Sequence, residues 1–248
     1  MNPKAVSPIL LLLAWESAVR LGLLDSRIVA PPTLIAVELW NITRSGELLG
    51  ALGVSLMRAA LGFFIAAVVG IALGALMARV RIAEAVFDPL IELLRPVSPL
   101  ALFPLFMLWF GIGETPKILI IAFACAFPII LNTYAGVRSI DPTFVRAARS
   151  LGASPSEIMR TVILPATLPS MFTGLRISWG IALIVIVAAE MVGAVRGIGY
   201  MVLYAQQTFQ VELVFGGIVV IGLVGFLTDA GFRLARRKLL PWYRELSE

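Results

Sequence analysis

The chain contains no histidine, and that single absence removes the usual general base, the commonest metal ligand and every Ser-His-Asp arrangement. Cysteine is nearly as scarce. The one thiol, Cys125, sits in an apolar run between Ala124 and Ala126, so no disulfide can close within the chain and a zinc site would lack partners. Charge is sparse as well: Asp, Glu, Lys and Arg make up 14% of 248 residues against 60% hydrophobic ones, and the mean hydropathy is +0.97. A soluble domain of this length rarely carries so few charges, and residues 63–77 are apolar or small all round, so lipid is the expected solvent. The H-E-x-x-H and G-x-S-x-G patterns are missing too, which argues against an intramembrane enzyme and leaves no catalytic residue, cofactor or metal to expect.

What charge there is sums to +5, and the basic residues stand at the ends of hydrophobic segments. The positive-inside rule explains that placement without a nucleic-acid partner. About six spans are expected, at residues 7–24, 52–78, 86–110, 118–137, 171–192 and 211–227, making the chain an all-α polytopic membrane protein. Glu16 and Arg20 interrupt the first, but their i,i+4 spacing lets them pair. A signal peptide is the competing reading of this stretch; its run, residues 9–14, is short, so a retained helix is expected. Residues 33–44 form a half-polar segment expected at the outer surface. In the second span Gly62, Ala66, Gly70, Gly74 and Ala78 recur at every fourth position, a small-residue stripe for close packing against another helix of the chain. Arg79 and Arg81 then mark a cytoplasmic end. The basic run Arg233, Arg236, Arg237, Lys238 and Arg244 places the C-terminus inside, and Lys4 with the parity of crossings places the N-terminus there too.

Residues 86–110 contain Pro89, Pro96, Pro99 and Pro104, so that span must be kinked or partly unwound, its freed carbonyls satisfied by protein or a watery cavity. Pro96 and Pro99 are therefore expected beside a solute path. Asp88, Glu92 and Arg95 share roughly one helical face, either as a self-neutralising cluster or as an anion-attracting or gating group. Arg176, Glu190 and Asp229 each need a partner or water. Glu190 precedes the glycine-rich run 193–199 and is expected to face inward, in a gating role or in a structural hydrogen bond; a carboxylate would repel an anionic solute directly.

The one long polar segment, residues 139–161, is expected to face the cytoplasm. Asp141-Pro142 reads as an N-cap with proline at the first helical position, and Gly152 stands where a helix ending at Leu151 needs a left-handed residue. Ser154-Pro155-Ser156-Glu157 is a capping box, starting a second short helix that Pro165 is expected to end near Leu164. Ala147, Ala148 and Leu151 would be free to fill a groove on another protein, although the spacing alone favours an ordinary connecting loop.

Arg146-Ala147-Ala148-Arg149-Ser150-Leu151-Gly152, continued to Val162-Ile163-Leu164-Pro165, resembles the glutamate-alanine-alanine loop of binding-protein-dependent ABC permeases, with Arg146 at the glutamate position and Val162 for isoleucine. The likeness runs from Ala30-Pro31-Pro32 to the end. Phe87-Asp88-Pro89-Leu90-Ile91-Glu92-Leu93-Leu94-Arg95-Pro96-Val97-Ser98-Pro99-Leu100 and Leu108-Trp109-Phe110-Gly111-Ile112-Gly113-Glu114 are similar to the branch handling taurine, aliphatic sulfonates and nitrate. Ala188-Ala189-Glu190-Met191, Arg196-Gly197-Ile198-Gly199-Tyr200 and Leu240-Pro241-Trp242 resemble its taurine members most. The resemblance implies a type I ABC importer permease fold in the bacterial inner membrane, with residues 51–248 as the transmembrane domain after an N-terminal portion 1–50. It further implies a homodimer, two copies of an ATP-binding subunit, an extracytoplasmic solute-binding protein, and a coupling loop 139–165 acting through Arg146, Ala147, Ala148, Leu151, Gly152, Glu157, Leu164 and Pro165. The implied solute is taurine or another sulfonate, with nitrate as the alternative. An ion-coupled secondary transporter would need a counterpart to the proline-broken span, and none is evident. The loop 111–117 lacks the glycine before Lys117 and the Ser/Thr after it that a phosphate loop requires, so ATP hydrolysis is assigned to the separate subunit.

Overall fold

The computed structural model describes residues 3–242, and among them every regular element is helical. The basic residue Arg244 lies outside the described residues. In chain order the helices are α1 (Pro3–Arg20), α2 (Pro32–Arg44), α3 (Glu47–Arg79), α4 (Arg81–Leu94), α5 (Pro99–Phe110), α6 (Glu114–Arg138), α7 (Pro142–Ser150), α8 (Pro155–Ile158), α9 (Leu164–Gly193), α10 (Ile198–Gln207) and α11 (Val211–Leu239). A π-helical turn, Met159–Ile163, joins α8 to α9 without a break.

Four stretches are long and apolar enough to cross a membrane: α3, α6, the continuous run Pro155–Gly193, and α11. The pair α4 and α5, bent by 104°, makes a fifth if it counts as one broken span. The first expected span becomes α1, which stops at Arg20 and carries Lys4, Glu16 and Arg20, too many charges to join that set. The last span runs on past Leu227, so Arg233, Arg236, Arg237 and Lys238 are helical.

One expectation fails outright. Pro165 does not end the second helix of the polar segment; the chain continues through it, and through Pro169, as α9. The reason lies in the turn before it. In an unbroken α-helix the ring of Pro165 would strike the carbonyl of Thr161. Instead the Leu164 N–H donates to the Met159 carbonyl five residues back, a π-type bond that opens the ladder where the ring enters.

The described chain divides into two compact units. One takes residues up to Met57 together with Val187–Val224. Its core gathers Ile42, Leu48, Ile198, Met201, Val202, Ala205, Leu213 and Val220, so α2 and α10 contribute a side of that core each. Glu16 ties α1 to α2: it pairs with Arg20 at 2.5 Å, as its spacing implies, and accepts from the Thr33 backbone N–H at 3.1 Å and the Thr33 hydroxyl at 2.8 Å.

The other unit comprises Arg58–Ile186 and the described chain from Gly225 on. The small-residue stripe of α3 packs against α6, as expected. A Cβ at Gly62 would lie 2.7 Å from the Ile118 carbonyl, at Gly70 2.9 Å from Ile129, and at Gly74 2.6 Å from the Ile130 carbonyl. Contacting residue numbers rise together along the two helices, so α3 and α6 run parallel. α6 also meets α9, antiparallel: Gly136 faces Thr167 and Ser170, Gly174 faces Asn132 and the Pro128 carbonyl, and Cys125 and Ser178 exchange hydrogen bonds to each other's carbonyls at 3.2 and 2.8 Å. Arg176 of α9 bonds Asp229 of α11 at 2.5 Å, and Phe232 stacks edge-on to Phe172 and Phe63. The basic ends of α3, α6 and α11 and the start of α9 thus lie at one end of this unit.

Van der Waals contact is the main attraction between helices in lipid, so the glycine approaches are expected to dominate stability. Gly74→Val would push against the Ile130 carbonyl and should destabilise by about 1–3 kcal/mol, seen as a lower unfolding temperature in detergent. Gly180→Ala, where nothing lies within 4 Å of the new methyl, should leave that temperature unchanged or raise it.

Candidate functional site

The polar segment is a hairpin whose corner is closed by backbone geometry. The Asp141 carboxylate accepts from the Thr143 N–H at 2.8 Å and starts α7; that N–H, with the Thr143 hydroxyl behind it, holds the carboxyl below its ordinary range. At the other end of α7 the Ala153 N–H reaches the Ala148 carbonyl at 3.1 Å and the Gly152 N–H reaches that of Arg149 at 2.9 Å, the two bonds of a Schellman closure. Gly152 has φ +83° with open space around a would-be Cβ, so glycine is required there for its backbone angle alone. The capping box forms as expected: Ser154 N–H donates to Glu157 at 2.7 Å and Glu157 N–H donates to the Ser154 hydroxyl at 3.3 Å.

No residue of α7 is buried. Phe144 is 65% and Leu151 88% exposed, and with Ala147 they stand at i, i+3 and i+7, one unpartnered apolar face. Ala148 is half-buried behind that face. Arg146 reaches back to the Thr143 hydroxyl at 3.1 Å. Leu164 and Pro165 lie beyond the π turn, at the root of α9. Phe144 was not singled out from the sequence, although its i−3 spacing from Ala147 was there to find.

Glu190 is fully buried. The Ser55 hydroxyl lies 2.9 and 2.8 Å from its two oxygens, so that one proton goes to one of them, while the same hydroxyl accepts from the Ile198 N–H at 2.9 Å. Gly199 N–H donates directly to the carboxylate at 2.9 Å. The carboxylate and serine therefore cap the first turn of α10, where a helix leaves N–H groups unpaired and favours negative charge. Two glycines follow from this. A Cβ at 197, already at φ +121°, would lie 2.3 Å from the carboxylate, and one at 199 would lie 2.2 Å from the Val187 carbonyl. The hydrogen bonds that the structural reading of Glu190 calls for are present in this geometry. Ser55, 135 positions away, had no local signal.

Arg95, Pro96 and Pro99 sit at the break between α4 and α5. Arg95 closes α4 by donating its N–H to the Ile91 carbonyl at 2.8 Å, and Pro99 begins α5 after an extended Ser98. Pro89 and Pro104 lie inside their helices, so the bend belongs to residues 95–98. Asp88, Glu92 and Arg95 are all exposed, and no salt bridge joins them among the described residues. The charges that do pair lie elsewhere. Arg58 on α3 clasps Glu114 at the start of α6, which Lys117 also meets at 3.4 Å, and Glu84 takes Tyr134 and Arg138. Arg176 and Asp229, each expected to need a partner, find each other.

The sequence model of the family described as the inner membrane component of binding-protein-dependent transport systems matches residues 66–241. A putative aliphatic sulfonates transport permease of Bacillus subtilis is 40% identical over 95% of this chain and 85% of its own. A taurine transport system permease of Escherichia coli is 40% identical over 95% of this chain and 88% of its own. Among solved structures, an inward-facing MetNI methionine ABC transporter superposes with a TM-score of 0.62 at 20% identity, covering 77% of this chain and 97% of that one, a likeness of fold. The hairpin, the broken span and the glycine-packed helices are accordingly those of a type I ABC importer permease, and the chain belongs to the binding-protein-dependent inner membrane permeases, in the branch of the taurine and aliphatic sulfonate proteins.

Proposed function

We propose that the chain carries a small anionic or zwitterionic solute, taurine or another sulfonate, inward across the bacterial inner membrane by alternating access driven by a partner ATPase. Residues 51–248 form the permease domain. Two copies of the chain line the path, two ATP-binding subunits grip the cytoplasmic hairpin 139–165, and an extracytoplasmic binding protein delivers the solute. Both termini are cytoplasmic in this arrangement, in keeping with the basic C-terminal end of α11. The carrying observation is the bare face of α7: Phe144, Ala147 and Leu151 are exposed on a helix whose two ends are locked by caps. An exposed, stiff apolar ridge fits a groove on another protein. Arg146 and Arg149 border it, so the groove should be rimmed by acidic groups. The sulfonate assignment rests on the two 40%-identical relatives.

Phe144→Ser with Leu151→Ser should remove about 3 kcal/mol of docking energy, roughly a hundredfold in affinity, so the ATPase no longer copurifies while the permease still inserts. Retention of the ATPase by that double variant would refute the docking role. Glu190→Ala should leave the Gly199 N–H and Ser55 hydroxyl without their acceptor and cost about 1–3 kcal/mol, read as lost monodisperse protein. Glu190→Gln keeps an acceptor oxygen and should fold and transport; a well-folded Gln variant that fails to transport would return Glu190 to the path.

A further inference from the structure

We propose that the π-helical turn Met159–Ile163 is a mechanical joint, at which the docking hairpin swings against the membrane helix α9 during each transport cycle; this rests on the docking role given to the hairpin above. On one side of the turn the chain is stiff. The Schellman closure at Gly152, the capping box at Ser154 and the packing of α7 back onto α8 and the start of the turn make one small body. On the other side α9 is clamped. Thr167 and Ser170 press on Gly136, and Gly174 lies against Asn132 and the Pro128 carbonyl, so α9 cannot tilt there without parting from α6.

Between the two, Met159–Ile163 contains no buried residue. Its ladder is also irregular. The Leu164 N–H has stepped to Met159, and Pro165 has no N–H to offer, so one rung is displaced and the next is missing. The Thr161 hydroxyl bonds the Glu157 carbonyl at 2.7 Å and the Thr167 hydroxyl bonds that of Ile163 at 2.7 Å, holding the helix together by side chains on either side of the gap. A turn holding one residue more than an α-turn can lose it to the neighbouring helix. Each residue so exchanged rotates the hairpin by about 100° and moves it about 1.5 Å along the axis. Pro165 keeps the turn from closing for good, because a full α ladder would bring its ring back onto the Thr161 carbonyl.

The test uses the assembled transporter with its ATPase in nanodiscs. Spin labels are placed at the exposed positions Ser150→Cys and Thr173→Cys in a Cys125→Ala background, and their separation is measured without nucleotide and with ATP under non-hydrolysing conditions. A joint predicts a shift of more than about 3 Å, twice the rise per residue. In the unlabelled transporter, amide exchange at 159–163 should be faster than at 155–158 and 167–176 and should change when ATP binds. An unchanged separation with the ATPase in place, or protection at 159–163 equal to that at 167–176, overturns the joint and leaves the docking role standing. Failure of the wild-type chain to retain any ATPase overturns both.

Discussion

In hydrocarbon a backbone N–H or C=O has no water to turn to, and each one left unpaired costs several kcal/mol. Much of this architecture follows from that constraint. Prolines are admitted where the lost rung can be absorbed: Pro99 at the first position of α5 and Pro165 directly after a π turn. The first residues of the short helix α10, Ile198 and Gly199, are buried, so their N–H groups have no water to turn to. Glu190 and Ser55 meet that need from within. A buried carboxylate is expensive on its own account, and the donors around it are what make it tolerable.

The same constraint makes the backbones approach one another. Once every N–H is paired inside its own helix, neighbours in lipid attract chiefly through close packing. Gly62, Gly70 and Gly74 bring α3 onto α6, and Gly136 and Gly174 bring α9 onto it from elsewhere. The reciprocal bonds of Cys125 and Ser178 lie in this second seam, where each polar side chain takes up the other's backbone carbonyl. The buried Cys125 thiol is therefore a weak donor in a helix contact.

Local signals were legible in the sequence to the residue. Asp141-Pro142, Gly152 and Ser154-x-x-Glu157 place both caps and the corner, because each depends on a backbone turn of a few residues. The four-residue period of small side chains in α3 was equally plain. Continuity through Pro165 was not, since a proline reads as a stop and the compensating π turn has no composition of its own. Long-range partners escaped for a different reason. Ser55 and Glu190 are brought together only by the fold, as are Arg58 and Glu114, and nothing near either residue announces the other. The expected neutral cluster of Asp88, Glu92 and Arg95 failed in the opposite way: spacing puts three charges on one face, but exposed side chains gain little by holding one another and do not do so here.

Under the docking proposed above, force entering at α7 reaches α9 through residues 158–164 and α6 through residues 139–141. A lever transmits motion only where it is stiff, and it redirects motion only where it is not. Caps stiffen the hairpin, glycine seams stiffen α9, and the displaced rung between them concentrates whatever bending the run allows. Had the helix been regular there, the clamp at Gly136 and Gly174 would resist every rotation of the hairpin directly, and the contacts that give the unit its stability would be strained on each cycle. Placing the one irregular turn outside those contacts separates the part that must hold from the part that must yield.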